Sequence, residues 1–594
     1  MHIRSTEVSL LVFKLICNFR RSLYMKKNIL TSVLSLLLIT SCNDSFLDKS
    51  PLDKLSEDKY FQTENDLNTY SLSFYPLLEG YGKNFEKAEM LSRDEMSDNM
   101  APSTANNVAA GLHLIPNSNS DGDIGKIWQW ETLRNVNYFL ARCSRADVSP
   151  EVLAQYQAEA RFFRAYIYLP KIKAYGNVPW INKDLTVNDE ELLYSSQMPR
   201  FDVVDSVLAD INFAIQYLPE KGKEVTAKIN KDVALAFKAR FCLYEGSFRK
   251  YHGLGQEEEM LREALAAAKE LEESKRYALY TTGNPQKDYQ DLFIQDDLDG
   301  NPEMIFYRHY VLDKLTHNMV CATAGSMTKS LIESFLCADG TPVALNKDYS
   351  DETMQDELKG RGPRLQQICI YPGTTQHQAN IGKPGIPGTA SNNTSTGYQL
   401  LKYYREDQVL MNARNYTDAP VFRYAETLLI YAEAAAELGL CDQTVLDKTI
   451  NVLRDRAGMP HLSVNVGFED PVIKELYSNV SNLIREIRRE RRVELACEGY
   501  RYDDLMRWKC GKLLERPFLG MHFVQSQYPE VKARKYGDTS TTDFSITLDK
   551  NGYIDVYQSK YPQGFTFNEE KHYYMPLPLD QVTMNTNLKQ SPGW

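Results

Sequence analysis

The sequence lacks the short motifs that mark common catalytic and metal sites. It contains no H-E-x-x-H, no G-x-S-x-G and no Walker loop, and its nine histidines show no metal-ligand spacing. Its ten cysteines form no C-x-x-C pair, which argues against a zinc ribbon or a compact disulfide framework. Segment 297–303 carries several acidic residues, but their spacing does not fit a calcium loop. We therefore expect neither a cofactor nor a metal site.

The chain also lacks an excess of positive charge. Its formal net charge is −11, and because residues 1–41 are themselves basic, the remainder is more acidic still. A protein that binds DNA or RNA normally presents a basic surface to the phosphates. The sequence therefore argues against nucleic acid as a partner.

No apolar run is long enough to cross a bilayer, which takes about 20 residues. The apolar run at 29–39 follows M-K-K, as in a secretion signal, and it ends in I-T-S-C. That ending predicts cleavage before Cys42, which then carries lipid as the first mature residue. We interpret 1–41 as a signal peptide, in which 1–24 precede the true start codon, and 42–62 as a lipidated tether.

The periodicity of apolar residues predicts a mostly α protein. Helical patterns cover about 63–279 and 420–517, and the pattern fails over about 280–419, where Gly, Pro, Asn and Thr are frequent. The helices come in pairs with small residues at close contacts, which favours tetratricopeptide-like stacking, although no repeat of constant length is present. One helix begins at Pro150 and is expected to kink or end at Pro170. We predict a helix-pair scaffold that carries an irregular, loop-rich insertion.

The most informative segment is 481–508, S-N-L-I-R-E-I-R-R-E-R-R-V-E-L-A-C-E-G-Y-R-Y-D-D-L-M-R-W. It predicts a helix that stops at Gly499, followed by a second helical piece. Within this helix, glutamates recur every four residues among arginines, and such pairs stabilise a helix by a few tenths of a kcal/mol each. The glutamates also cancel the charge of the arginines.

Arg491 occupies an unusual position in this helix. At 100° per residue it falls on the apolar stripe with Ile487 and Leu495. A buried arginine requires a carboxylate partner, whereas a surface arginine extends its charge into water. Glu426, Glu433 and Glu437 share one face of the helix predicted at 422–438, and we expect this face to supply the partner of Arg491, with Glu426 as the structural ion pair.

The segment from R-R-E-R-R-V-E-L-A-C-E-G-Y to R-Y-D-D-L-M-R-W closely resembles the signature of the SusD/RagB family, surface lipoproteins of Bacteroidetes that bind nutrients, mostly glycans. Three further stretches resemble the family: F-R-Y-A-E-T-L-L-I-Y-A-E-A at 422–434, I-N-V-L-R-D-R-A-G-M-P at 450–460, and the C-terminal Y-Y-M-P-L-P-L-D-Q-V through N-L-K-Q-S-P-G-W. The resemblance spans 42–594. It implies a single SusD-like domain over 63–594 with a tetratricopeptide-like scaffold.

The same resemblance implies a function. Such a protein captures an oligosaccharide without catalysis and passes it to a SusC-like TonB-dependent transporter. It lies on the cell surface, anchored to the outer membrane through lipid on Cys42.

A sugar site requires aromatic faces and planar polar groups on loops that a rigid scaffold holds. The 37 tyrosines suit such stacking, although most are expected to fill the core. The resemblance places the ligand face near two polar loop regions of this chain. The candidate ligand residues are Asp98, Asn99, His113 and Asn117 in the first region, and His309, Tyr310 and His317 in the second.

Two other classes of function stay open. An enzyme acting on polysaccharide would use a pair of carboxylates, which cannot be recognised among 79 acidic residues. A helical-repeat scaffold would bind peptides or proteins instead of glycans.

Overall fold

The computed structural model describes residues 60–78, 80–84, 86–224, 227–319, 326–370, 394–408 and 411–594. The predicted signal peptide, Cys42 and the tether up to residue 59 lie outside the described residues. The chain divides into two compact units, Met1–Asp66 and Leu67–Trp594. Within the described ranges, no helix has the length and apolar character needed to cross a membrane.

Helices dominate the chain up to residue 279. Their bounds are α1 Glu64–Ser71, α2 Glu89–Asp94, α3 Gly122–Lys126, α4 Glu131–Arg142, α5 Pro150–Tyr175, α6 Glu190–Leu193, α7 Arg200–Tyr217, α8 Lys231–His252 and α9 Glu257–Glu273. Short 3-10 turns follow α1 and α4, at Leu72–Leu77 and Cys143–Arg145.

Short helices and strands share the chain beyond residue 279. The helices are α10 Asp288–Asp291, α11 Lys329–Ser334, α12 Met354–Leu358, α13 Pro363–Ile368, α14 Tyr424–Glu437, α15 Gln443–Lys448, α16 Ile450–Arg456, α17 Pro471–Leu476, α18 Asn482–Glu494, α19 Arg501–Arg507 and α20 Leu579–Met584. The strands are β1 Met304–Arg308, β2 Cys369–Ile370, β3 Gln399–Leu400, β4 Ala419–Arg423, β5 Leu519–His522, β6 Ala533–Arg534, β7 Ile546–Thr547 and β8 Tyr553–Asp555. Two 3-10 turns lie at Val343–Leu345 and Gly511–Glu515.

The long helices pack in pairs. Helix α8 packs against α9, α5 packs against α4 and α7, and α14 connects this scaffold to the rest through α9 and α18. The predicted mostly α fold is confirmed.

Helix α5 passes through Pro170 and ends at Gly176, where φ is +70°. Of the two effects expected at Pro170, an end of the helix does not occur. A proline removes one helical hydrogen bond, here the one to the carbonyl of Tyr166. The neighbouring side chains of Tyr168 and Ile172 are buried and hold the helix in place in spite of that loss.

The predicted insertion, 280–419, contributes to an apolar core that it shares with the rest of the chain. Strand β1 pairs antiparallel with β4, and β2 with β3. Side chains from this region, including Tyr289, Leu292 and Tyr403, form one apolar cluster with Ala496 of the arginine-rich segment. The insertion is therefore an integral part of the fold. Its Gly- and Pro-rich stretch at 371–393 lies outside the described residues.

Helix α18 is shorter than its sequence pattern indicates. It begins behind Ser481, whose hydroxyl accepts a hydrogen bond from the amide of Ile484 at 3.3 Å, and it ends at Glu494 instead of reaching Gly499. The backbone turns at Cys497, where φ is +62°, and again at Gly499, where φ is +83°. An added Cβ at Gly499 would lie 2.8 Å from the Cα of Met90, so only glycine fits there.

Candidate ligand-binding cleft

The glutamates of α18 bind buried arginines from distant segments. Glu494 accepts hydrogen bonds from Arg456 at 2.5 Å, Arg423 at 2.9 Å and Arg364 at 2.7 Å. Burial alone would raise the pKa of Glu494, but the three guanidinium groups hold it well below its usual range. This network holds α18 against the insertion and α16, and it is structural.

Arg491 is buried, but its partner differs from the predicted one. Its Nε lies 3.0 and 2.9 Å from the carboxylate oxygens of Asp504 in α19. Glu426 instead pairs with Arg240 of α8, at 2.6 Å. The predicted pair Arg491–Glu426 is therefore wrong, because the tight turn after α18 brings α19 back alongside it. Glu433, from the same predicted acidic face, lies 4.0 Å from Nε of Arg491.

Asp98 and Asn99 support the same helices. The carboxylate of Asp98 accepts hydrogen bonds from Arg501 at 2.6 and 2.9 Å and lies 3.1 Å from Arg492. Burial would raise the pKa of Asp98, but Arg492 and Arg501 lower it to about 2. Asn99 is fully buried between Arg492 and Asp94. The prediction that Asn99 contacts a ligand is wrong, because its side chain does not reach the surface.

The second predicted loop region places two of its three residues inside the protein. Tyr310 is buried and its hydroxyl donates to the carbonyl of Gly82 at 2.8 Å. His317 is fully buried, with Nε2 2.9 Å from the carbonyl of Thr417. Both rings pack edge to face, 4.6 Å apart. The prediction of ligand contact is wrong for these two residues, because the insertion uses their rings as core.

His309 is the exposed member of that region. Its side chain is 49% exposed, and Nδ1 lies 3.0 Å from both oxygens of the buried Asp418. With Asp297 these side chains place three possible metal ligands within 4.8 Å of one another. The contact between His309 and Asp418 is a histidine–carboxylate hydrogen bond, so this geometry does not by itself assign a metal.

His113 and Asn117 lie apart from both groups. His113 is buried between the rings of His572 and Trp594, with ring centroids 5.0 and 4.8 Å away. The expectation of ligand contact is wrong for His113, because its ring is also part of the buried core. Asn117 is exposed, and its backbone amide donates to Asp121 at 2.8 Å. The seven predicted residues therefore do not form one site.

A cleft of about 640 Å³ opens between the insertion and the C-terminal part of the chain. Helix α11 and the loop that carries Tyr349 form one wall. Helix α17 and the segment around Phe518 form the other, and Tyr553 lies at the end. Asp98, which is buried and paired with Arg501 and Arg492, is also among the lining residues.

One end of the cleft is built around Lys329. Its ammonium lies 2.7 Å from Asp351, 3.1 Å from Glu357 and 3.1 Å from Glu333. Burial would lower the pKa of Lys329, but these carboxylates raise it, so the lysine stays charged. The hydroxyl of Tyr553 donates to Asp351 at 2.7 Å, which fixes the orientation of its ring.

The opposite wall is more open to solvent. Arg516 and Glu475 form a 2.5 Å ion pair with side chains 42% and 74% exposed. Val472 of α17 is 42% exposed beside them, whereas Phe518 is buried beneath. The cleft lining thus contains two half-buried tyrosines, carboxylates and a guanidinium, which are groups that can contact sugar rings and hydroxyls. The ammonium of Lys329 lies 4.7 Å from the centre of the Tyr553 ring.

Comparison with known proteins agrees with this architecture. A family model described as "SusD family" matches residues 277–594, more than half of the chain. The chain belongs to the SusD/RagB family. A second model, described as "Starch-binding associating with outer membrane", matches residues 45–243.

Relatives of the SusD/RagB family cover most of the sequence. SusD-like protein P2 of Formosa agariphila is 24% identical over 512 residues, covering 82% of this chain and 92% of the relative. A SusD-like protein of Bacteroides ovatus is 22% identical over 615 residues, covering 96% and 98%.

Solved SusD/RagB structures show the same fold. A SusD-like carbohydrate binding protein of Bacteroides fragilis has a TM-score of 0.70 at 24% identity, covering 89% of this chain and 99% of its own. A structure described as a laminarin binding SusD-like protein has a TM-score of 0.54 at 17% identity, covering 90% and 100%.

The SusD/RagB model spans both walls of the cleft, yet sequence reasoning missed the residues that form it. Lys329, Glu333, Tyr349 and Tyr553 come from segments with no periodic pattern, and nothing in the sequence sets Tyr349 or Tyr553 apart from the other tyrosines. Their proximity depends on the packing of α11 against α18 and β5, which the sequence does not reveal.

Proposed function

We propose that this protein is a surface lipoprotein that captures an oligosaccharide in the cleft and delivers it, uncleaved, to a SusC-like TonB-dependent transporter of the outer membrane. The observation that carries the proposal is the pair of half-buried tyrosine rings, Tyr349 and Tyr553, beside fixed polar groups. Membership of the SusD/RagB family, whose relatives include carbohydrate binding and laminarin binding proteins, supports the same function.

The chemistry of the cleft suits a neutral sugar surface. A pyranose has an apolar face that stacks on an aromatic ring, and its hydroxyls bind carboxylates and guanidinium groups in pairs. The site is open, so each hydroxyl must replace bound water and little apolar area is buried. We expect dissociation constants of about micromolar to millimolar for this reason.

The described residues of the cleft do not form a nucleophile–base pair. The hydroxyls of Ser330 and Ser334 accept hydrogen bonds from Arg492, at 3.1 and 3.0 Å, and no histidine lies beside them in the described part of the cleft. A serine without an adjacent base is a weak nucleophile. This arrangement argues against a serine-dependent hydrolysis in the cleft, and the test against polysaccharide hydrolysis is product analysis.

Tyr553→Ala should weaken binding of the captured oligosaccharide about 3- to 10-fold, because stacking on an aromatic ring is worth about 0.5 to 1.5 kcal/mol beyond buried area. Calorimetry against a panel of glycans identifies the ligand and measures the change. Tyr536→Ala is the matched control, since that ring is 61% exposed and remote from the cleft lining. A melting curve for each variant separates lost binding from lost folding.

The same mixtures test the alternatives. Product release at an enzyme-like rate would show that the protein hydrolyses polysaccharide instead of only binding it. If no glycan of the panel binds and peptides bind clearly, a helical-repeat scaffold for peptides or proteins would be favoured. Equal glycan affinities for wild type and Tyr553→Ala would show that the glycan does not stack on Tyr553 in the cleft.

Uptake in cells should depend on the partner transporter. We expect the protein to increase growth on its glycan only in a strain that expresses the SusC-like transporter, because a tethered binding protein has no pore of its own. Growth curves of single and double deletion strains measure this dependence. An equal benefit in the strain without the transporter would contradict the delivery step.

A further inference from the structure

The end of the β1–β4 ribbon brings three metal-ligating side chains together. The last pair of its antiparallel register is Arg308 with Ala419. The next residue after β1, His309, and the residue before β4, Asp418, therefore lie opposite each other. Asp297, from the loop before β1, completes the group, and one ligand atom from each of the three side chains lies within 4.8 Å of the other two. Their separation along the chain matches no metal motif, so the sequence alone gives no sign of this group.

The backbone holds the buried member of the group in place. The side chain of Asp418 is fully buried, and its two oxygens accept hydrogen bonds from the amides of Tyr310 at 2.8 Å and Leu298 at 3.0 Å. The amide of Asp418 donates to the carbonyl of Gln295 at 2.8 Å, which fixes the loop 295–301 that carries Asp297. A binding site whose ligands are already oriented loses less free energy in ordering them.

The spacing between His309 and Asp418 suits two ligands of one ion. Nδ1 of His309 lies 3.0 Å from both carboxylate oxygens of Asp418. Nitrogen and oxygen ligands lie about 2.0 to 2.2 Å from Zn²⁺, so two neighbouring ligands of one ion are about 3.0 to 3.5 Å apart. The ion would replace the proton between the two side chains, because a histidine binds metal through an unprotonated ring nitrogen.

The charge around this pair favours a cation. Among the described residues, His309 is the side chain that forms an ion pair with Asp418, and none forms one with Asp297 or Asp299. Burial, and then these three carboxylates, raise the pKa of Tyr307 to about 12, so all three act on one ring. Buried charges in proteins are normally paired or bound to a metal. Three carboxylates beside one histidine leave negative charge that a divalent cation would neutralise.

The group is open to solvent. The side chain of His309 is 49% exposed, and Asp297 is exposed as well. These two side chains can adjust to an ion, whereas Asp418 provides a fixed ligand beneath them. None of the three residues lines the cleft, so an ion here would not occupy the glycan site.

We propose that Asp297, His309 and Asp418 bind one divalent first-row transition metal ion such as Zn²⁺, with the remaining coordination positions open to solvent. An imidazole nitrogen with two carboxylates suits these metals. Ca²⁺ takes six to eight oxygen ligands, and Mg²⁺ retains several waters, so a site with a nitrogen ligand selects against both. The bound ion ties the loop 295–301 to the end of the β1–β4 ribbon. The inference does not depend on the cleft or on its glycan.

Calorimetry of the untagged full-length lipoprotein in detergent, after treatment with a chelator, tests the site with ZnCl₂, CaCl₂ and MgCl₂ as probes. We expect one Zn²⁺ per chain, bound at least about 100-fold more tightly than Ca²⁺ or Mg²⁺. Melting curves with and without Zn²⁺ give a second readout, because an ion that binds the folded state raises the Tm.

Asp297→Asn and His309→Ala should each weaken Zn²⁺ binding by at least about 10-fold, because losing even a residue that only orients a ligand costs this much. Asp297→Asn leaves the bond between His309 and Asp418 intact, so the Tm without metal should not change. His461→Ala is the matched control. His461 pairs with Asp455 at 2.6 Å with both side chains exposed, and no third ligand joins that pair in the described part of the chain. Its Zn²⁺ affinity should equal that of wild type.

Absence of Zn²⁺ binding to the folded wild type would overturn the inference. An unchanged Zn²⁺ affinity of Asp297→Asn would overturn it as well. Equal losses for His309→Ala and His461→Ala would show adventitious binding to surface histidines, and tighter binding of Ca²⁺ than of Zn²⁺ would indicate a site made of oxygen ligands alone; either result contradicts the proposed site. None of these outcomes bears on glycan capture, which the tyrosine variants test at the cleft.

Discussion

Glu494→Gln should lower the free energy of unfolding by about 3 to 5 kcal/mol. The substitution keeps the size of the side chain and removes the charge shared by Arg364, Arg423 and Arg456, which then lie buried without that counter-charge. Unfolding by denaturant, followed by circular dichroism of wild type and variant, measures the loss.

Glu475→Gln is the control for Glu494→Gln. It breaks an arginine pair of equal length, but both partners are exposed, so the loss should stay below about 1 kcal/mol. Similar small losses for both variants would show that the buried network contributes little to stability.

The pH dependence of stability provides a second measure of the same network. Because the folded pKa of Glu494 lies below its ordinary value of 4.5, its contribution is fully present above about pH 4.5 and disappears as the pH falls toward the folded value. Glu494→Gln should therefore flatten the acid side of the stability curve. A variant that loses stability as steeply as wild type between pH 4.5 and 2 would contradict this assignment.

Cys42→Ala should release the protein from the outer membrane into the soluble fraction. The prediction rests on I-T-S-C after a run too short to span a bilayer, a pattern that predicts lipid on Cys42 as the anchor. One acyl chain binds a membrane only marginally, so stable anchoring requires several chains on this residue. Fractionation and immunoblotting, in a strain that lacks the partner transporter, measure the distribution.

Cys441→Ala is the control for the anchor, because Cys441 is a free thiol within the folded part of the chain. It should fractionate with the membrane like wild type. Membrane association of Cys42→Ala in the transporter-free strain would disprove lipid anchoring at this position.

The sequence predicted those parts of the fold that depend on local patterns. The helix pairs follow from the periodicity of apolar residues, and the burial of Arg491 follows from its place on the apolar stripe of α18. Its partner did not follow, because Asp504 reaches Arg491 only through the left-handed turn at Cys497, a residue type that gives no signal for such a turn.

The candidate sites were less predictable. Loop residues such as Tyr310 and His317 have the chemistry of a ligand site, yet the insertion needs their rings to fill its core. The cleft is assembled from α11, α17 and Tyr553, which are far apart in the chain. Sequence patterns carry no information about this arrangement.

The ion network around α18 also constrains how the chain can fold. The arginines that bind Glu494 come from α13, β4 and α16. Arg423 and Arg456 also pair with Glu303, whereas Glu490 and Glu494, the two carboxylate partners of Arg364, both lie in the last quarter of the chain. Contacts between such distant segments close large loops and form slowly. Until α18 is present, Arg364 cannot be buried with a counter-charge, so we expect the insertion to complete its core only after α18 has joined it. A nascent chain that stops before α18 should therefore remain protease-sensitive across the insertion.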